Sequence, residues 1–154
     1  MNKKMRMITS VITTGLLLCA CGSKAKDFDV KALANDLCTQ ITYQDDLNEL
    51  DMDTAAMFFN FSDTNIVNGV VYEGSGATAE EIVVIECASE EDAKKAETAL
   101  KERIEEQKDS FTDYVPEELT KLNSPVIKIV GKYAVLSVSN DPGKASSIID
   151  SYTK

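Results

Sequence analysis

The chain contains no histidine and no tryptophan. Without histidine there is no Ser-His or Cys-His pair to activate a nucleophile, and no imidazole to ligate zinc or haem. Sugar hydrolases commonly grip their substrates with indole rings, and here the aromatics are five Tyr and five Phe. Positive charge is also scarce. Sixteen Lys and Arg stand against 26 Asp and Glu, for a net charge of −10, which argues against nucleic acid and against unassisted binding to anionic lipid. Cysteine is sparse: apart from Cys19 and Cys21 near the start, only Cys38 and Cys87 remain. A bridge between them would close a loop of about 50 residues and stabilise by roughly 4 kcal/mol on the chain-entropy model. Cys38, however, falls on a predicted helix and Cys87 at a strand end, so both are expected to act as small apolar residues. Two thiols are too few for a metal site, and no metal or cofactor is expected.

No apolar run is long enough to span a bilayer. The longest mostly apolar stretch, Met7 to Leu18, falls short of the roughly 20 residues a hydrocarbon core requires. It follows Met-Asn-Lys-Lys-Met-Arg, a start carrying Lys3, Lys4 and Arg6 without an acid, and so reads as the core of a secretory signal. The next residues, Leu18-Cys19-Ala20-Cys21-Gly22-Ser23, resemble the lipobox of bacterial lipoproteins: an aliphatic residue, small residues, then the cysteine whose thiolate accepts a diacylglyceryl group. Cys19 is a poor rival because bulky Leu18 precedes it. Cleavage between Ala20 and Cys21 leaves residues 21–154, three charge units more negative than the whole chain. Each buried methylene adds about 0.8 kcal/mol, so the two or three acyl chains of a lipoprotein give lasting attachment. The expected location is extracytoplasmic, on the outer face of the cytoplasmic membrane, with the membrane contacted through lipid on Cys21.

Residues 21–27 read as a tether, and 28–154 as one α+β domain. Val30, Leu33, Ala34, Leu37, Cys38 and Ile41 recur at helical spacing, with Asp27 or Asp29 as the cap. Asp45, Asp46, Glu49, Asp51 and Asp53 crowd together, yet lack the central Gly and terminal Glu of a calcium loop, and are expected to form a solvated loop. Asp53 is placed to cap a short helix ending at Phe58 and Phe59. Ile66–Tyr72, interrupted by Gly69, and the apolar run Ile82–Cys87 predict two strands joined at Gly74-Ser75-Gly76. This glycine pair is no phosphate cradle, since no Gly-Lys-Ser/Thr follows. Ser89-Glu90-Glu91-Asp92 opens a long helix to Phe111 in capping-box style. Its inner stripe is Ala93, Ala96, Leu100, Ile104, Gln107 and Phe111, and Glu90/Lys94, Glu91/Lys95 and Glu97/Lys101 pair on its outer face. Pro116 starts a short helix. Val126–Val130 and Tyr133–Ser139 flank Gly131-Lys132 as a type II′ hairpin, with Ile129 opposite Ala134, Lys128 opposite Val135 and Ile127 opposite Leu136. Asp141-Pro142 begins a last helix burying Ala145, Ile148 and Ile149. The expected fold is an antiparallel sheet of about four strands, two hairpins joined by a long helix, with helices mainly on one face.

Several of these residues together carry a resemblance: Ala79-Glu80-Glu81-Ile82, Arg103 and Gln107, Phe111 with Tyr114-Val115-Pro116-Glu117, and Gly131-Lys132-Tyr133-Ala134-Val135-Leu136. Over about residues 28 to 150 the chain resembles a family of small lipoproteins of anaerobic Firmicutes, a domain of unknown function (DUF4358). The resemblance implies location and fold and brings no activity. Within that frame Glu81, Arg103, Gln107 and Tyr114 are candidate binding residues. Arg103 and Gln107 lie one helical turn apart and offer donors suited to a carboxylate. A purely structural arrangement accounts for the same four: Arg103 paired with Glu81 at the sheet edge, Gln107 on a strand carbonyl, Tyr114 locking the Pro116 turn. The leading expectation is a non-catalytic, surface-tethered binding or assembly module for an envelope protein or small ligand. A carboxylate-dependent envelope hydrolase would draw two acids from Glu80, Glu81, Glu86 or the acidic cluster. An inhibitor of a secreted enzyme would use the loop from Gly74 to Ala79.

Overall fold

The computed structural model describes residues 26–154. The signal segment, the cleavage site at Ala20 and the lipid attachment at Cys21 lie outside the described residues. The domain is α+β, and its elements follow the hydrophobic periodicities closely. Helix α1 spans Val30–Gln40, and the open choice of cap resolves to Asp29, whose carboxylate accepts from the amides of Lys31 and Ala32. Helix α2 spans Met52–Phe58 and is capped by Asp51 rather than Asp53: the Asp51 side chain accepts from the Thr54 amide and hydroxyl at 2.9 and 2.6 Å. Asp53 sits instead in the first turn, where an acid favours the positive helix end. A 3-10 turn at Phe61–Asp63 leads into β2, Ile66–Glu73, and then β3, Glu81–Cys87. Helix α3 spans Glu90–Thr112, with the Ser89 hydroxyl accepting from the Asp92 amide as the capping box requires. After a 3-10 turn at Pro116–Glu118 come α4, Leu119–Leu122, the hairpin strands β4, Val126–Val130, and β5, Tyr133–Val138, and α5, Pro142–Thr153.

The sheet has five strands, one more than expected. The extra strand, β1 at Asn48–Leu50, lies inside the acidic stretch expected to be a solvated loop and pairs antiparallel with the end of β2, Leu50 opposite Val71 and Asn48 opposite Glu73. Three residues are too few to show an alternating pattern, so the pairing reflects the backbone groups that β2 offers along its edge. Both hairpins and the α3 connection stand as expected, and the order β1-β2-β3-β5-β4 places β3 at the centre. The β4/β5 register is the one read from the turn. Gly131 has φ 56° and Lys132 does not share the positive value, as a type II′ turn requires.

Helices cover both faces of the sheet rather than mainly one. Alternate residues of β3 enter different cores: Val83, Ile85 and Cys87 pack with Ala93, Ala96, Leu100 and Ile104 of α3, whereas Ile82 and Val84 pack with Leu33 and Leu37 of α1 and Ile149 of α5. A strand buried on both faces has no polar side to show. The continuous Ile-Val-Val-Ile run of β3 satisfies that demand. Cys87 lies in the α3-side core and Cys38 packs on the α1-side core, so the sheet separates the two free thiols. Burial pushes the Cys87 thiol up to about 11. On β2, Gly69 is required by close packing, since a β-carbon there would meet Ile85 and Met52 side-chain atoms at 2.9 Å. Among the described residues no helix is long and apolar enough to cross a membrane.

Candidate functional site

At one end of the sheet, hairpin register creates an electrostatic problem. Glu73 closes β2, Glu81 opens β3, and the two are direct cross-strand partners. Like charges directly opposite are destabilising. Arg103, three turns into α3, resolves this: its Nη2 contacts Glu73 Oε1 at 2.8 Å and Glu81 Oε2 at 3.1 Å, while Nε donates to Glu81 Oε2 at 3.2 Å. Gln107, one turn later, donates to the same Glu81 oxygen at 3.3 Å. The guanidinium carbon stands 5.0 Å from the centroid of the Phe59 ring, a cation-π seat. The structure therefore joins Glu81, Arg103 and Gln107. It places the group at the end of the central strand rather than at a sheet edge, and gives Gln107 a carboxylate partner instead of a strand carbonyl. Tyr114 makes no hydrogen bond to the other three; its ring lies 6.4 Å from that of Phe111 and is 70% exposed.

A second charged group lies alongside, and no local pattern of residues signals its burial. Lys121 on α4 reaches Glu80 at 3.1 Å, Glu118 at 2.9 Å and the Gln44 side-chain oxygen at 2.7 Å, with all three ionic side chains buried. The two carboxylates also hold backbone: Glu80 accepts from the amides of Gln44 and Asp45, and Glu118 from that of Ala79. One ammonium thus ties the segment before β1, the approach to β3 and the turn before α4. Spaced three residues from Glu118, Lys121 reads in sequence as an ordinary surface ion pair. Nearby, Asp45 of the acidic stretch accepts from the Ser75 amide and hydroxyl, both at 2.7 Å. Those bonds hold its carboxyl below the usual range. The acidic stretch is in part a clamp on the β2–β3 loop, rather than only a solvated segment.

Between the two groups lies a pocket of about 230 Å³. Its walls include Glu73, Arg103 and Gln107 from the first group, Glu80 from the second, and Thr78, Ser110, Phe111 and Tyr114. Glu81 does not line it; the acid sits beneath Arg103 and Gln107 with its side chain 1% exposed. Burial pushes Glu81 up to about 7, with Arg103 opposing the rise and Glu73 adding to it. Unfolded, the same acid ionises near its ordinary 4.5. Between those values the folded chain holds a proton that the unfolded chain has released, so this contribution to stability is full below pH 4.5 and is lost as pH rises through 7. Wild type is expected to lose on the order of 2 kcal/mol from this group between about pH 5 and pH 8, and Glu81→Gln to lack that component. Urea unfolding at a series of pH values measures the difference. Parallel pH profiles for the two proteins would refute the assignment.

Among the described residues no group of three or more acidic or cysteine side chains is placed to hold a metal ion. A family model described as a domain of unknown function (DUF4358) matches residues 40–139. That span runs from the end of α1 to just past β5 and contains both charged groups and every pocket residue named above. No curated protein and no solved structure matches the chain.

Proposed function

The chain belongs to the family described as a domain of unknown function (DUF4358), and we propose that in this member the domain is a non-catalytic binding module tethered to the outer face of a membrane through lipid on Cys21. The observation that carries the binding role is the pocket between two ordered charge networks, with Tyr114 exposed at its rim. Buried, mutually bonded walls fix polar groups before a ligand arrives, which lowers the ordering cost of binding. Binding is favoured over hydrolysis by the position of Glu81. It is the carboxyl displaced toward neutrality, as a general acid requires, yet it does not line the pocket.

Asp27 and the pocket lie at opposite ends of β3. Asp27 accepts from the Tyr133 hydroxyl at 3.1 Å and stands 3.7 Å from Lys132, whose backbone oxygen accepts from Cys87 at 2.8 Å. Glu81, beside the pocket, is at the other end of the strand, roughly 20 Å away at the usual rise per residue. From Cys21 to Asp27 the backbone reaches at most about 22 Å. With lipid on Cys21, the anchored segment would enter the domain at its Lys132 end, the end away from the pocket, which leaves the pocket free to meet an envelope partner or a diffusing ligand. Cys21→Ala is expected to move the protein from the membrane pellet to the soluble extracytoplasmic fraction with its unfolding curve unchanged. Retention of that variant in membranes after high-salt and alkaline washing would defeat the tether.

A further inference from the structure

Charge at the pocket wall is balanced, whereas hydrogen bonding there is incomplete. Glu80 offers nothing to a ligand, because it is buried and its carboxylate is held by Lys121, the Gln44 and Asp45 amides and the Thr78 hydroxyl. Glu81 does not reach the wall. What remains is Arg103 paired with Glu73 at 2.8 Å, one charge of each sign. Arg103 bonds to the two acids through Nε and Nη2, Glu73 accepts through Oε1, and Gln107 donates through its nitrogen. Arg103 Nη1, Glu73 Oε2 and Gln107 Oε1 have no hydrogen-bond partner among the described residues, and none of them is a buried atom, so all three are open to solvent. The pocket thus presents one donor group and two acceptors with no excess of charge.

This pattern disfavours a charged ligand. A carboxylate would meet Arg103 Nη1 but be opposed by Glu73, and an ammonium would meet Glu73 but be opposed by Arg103. A secondary amide points its N–H and C=O in opposite directions, which suits poorly a donor and an acceptor that flank one ion pair. A hydroxyl donates and accepts from a single atom. Neighbouring hydroxyls can therefore accept from Arg103 Nη1 while donating to Glu73 Oε2 and Gln107 Oε1. Tyr114, 70% exposed, adds an open ring face for the C–H face of a sugar, with the Phe111 ring beside it. A cavity of about 230 Å³ has room for a single sugar ring.

We infer that the pocket binds one uncharged sugar unit, its hydroxyls on Arg103, Glu73 and Gln107 and its C–H face on Tyr114. This rests on the binding reading and specifies its ligand. A free monosaccharide and the end of a glycan chain share the chemistry. They differ at the anomeric oxygen, which is substituted only in the glycan.

The test is an NMR titration of the whole extracytoplasmic domain at about pH 6, where Glu81, with its value raised to about 7, is largely neutral. The sugar probes, at millimolar concentration, are D-glucose, D-galactose, D-mannose and N-acetyl-D-glucosamine, each free and as its methyl glycoside. N-methylacetamide, butyrate and n-butylammonium serve as competitors of other chemistry. The expected result is saturable shifts of Thr78, Arg103, Gln107 and Tyr114 signals with at least one sugar, and none with butyrate or n-butylammonium. Binding kept or tightened in the methyl glycoside would identify a glycan end as the source, and binding lost there a free monosaccharide. Tyr114→Ala, at a solvent-exposed position whose truncation leaves the core intact, should weaken the preferred sugar roughly threefold. Glu73→Gln, which replaces a charged acceptor by a neutral one, should weaken it about fivefold. A competitor shifting the same signals more tightly than every sugar would overturn the inference while leaving a binding site. Silence from all the probes would overturn the inference and count against the binding reading too. Sugar binding undiminished in both variants would place it outside this pocket and would also overturn the inference.

Discussion

Lys121→Met is expected to destabilise the domain by about 3 to 5 kcal/mol, a large part of the 5 to 15 kcal/mol that keeps a typical domain folded. The substitution keeps the length of the stem and removes only the ammonium. What remains is Glu80 and Glu118, both buried and both charged, with their shared cation gone. Solvation cannot replace it at that depth. The damage will spread beyond α4, because the same carboxylates hold the amides of Gln44, Asp45 and Ala79. Chemical unfolding at neutral pH measures the loss, and native-state hydrogen exchange should show those three amides opening first. Adding Glu80→Gln and Glu118→Gln to the methionine variant is expected to recover part of the stability, since neutral amides tolerate the site better than unpaired carboxylates. A loss below 1 kcal/mol for Lys121→Met would class the pair with exposed ion pairs instead.

How much of this domain was legible in sequence depended on whether a feature was local. The capping box at Ser89, the Asp141-Pro142 helix start and the Gly131-Lys132 hairpin each involve residues a few positions apart, whose chemistry fixes the backbone without distant help, and each stands as expected. Of the outer-face pairs on α3, Lys95–Glu91 and Lys101–Glu97 form, whereas Lys94 makes no ion pair with Glu90. Such exposed pairs are worth so little that register alone does not secure them. Strand β1 and the second helical layer required long-range information. Nothing in Asn-Glu-Leu announces a strand, and the choice between one covered face and two turns on where α1 and α5 dock.

The site divides in the same way. Arg103 and Gln107 were visible because polar groups interrupted an apolar helical stripe, and Glu81 because an acid began an apolar strand. Phe59 was legible only as a core aromatic, not as the ring beside Arg103. Glu73, the cross-strand partner of Glu81, was hidden because its role depends on hairpin register across a seven-residue loop. Lys121 was hidden for a different reason: the sequence Glu118-Leu-Thr-Lys121 is indistinguishable from an exposed helical turn until Glu80 and Gln44 are seen to close over it.

Arg103→Met supplies the complementary perturbation, and its cost should depend on pH. At about pH 8 Glu81 is largely ionised beside Arg103, and without that cation it must either face Glu73 as a carboxylate or take up a proton at a pH where that costs free energy; a cost of about 3 to 4 kcal/mol is expected there. Lowering the pH to about 5 protonates Glu81, whose folded value is near 7. The neutral acid needs no counter-charge, and its hydroxyl can donate to Glu73 across the strand pair. Only the Arg103–Glu73 pair and the stacking on Phe59 are then lost, and the cost should fall to roughly half. The direction follows from linkage, since removing a cation raises the acid further and makes the difference between wild type and variant grow as pH rises through 7. Paired unfolding curves at the two pH values separate this account from a packing explanation. An equal cost at both would mean that Arg103 acts mainly through its stem against Phe59, and would remove Glu81 as the titrating partner.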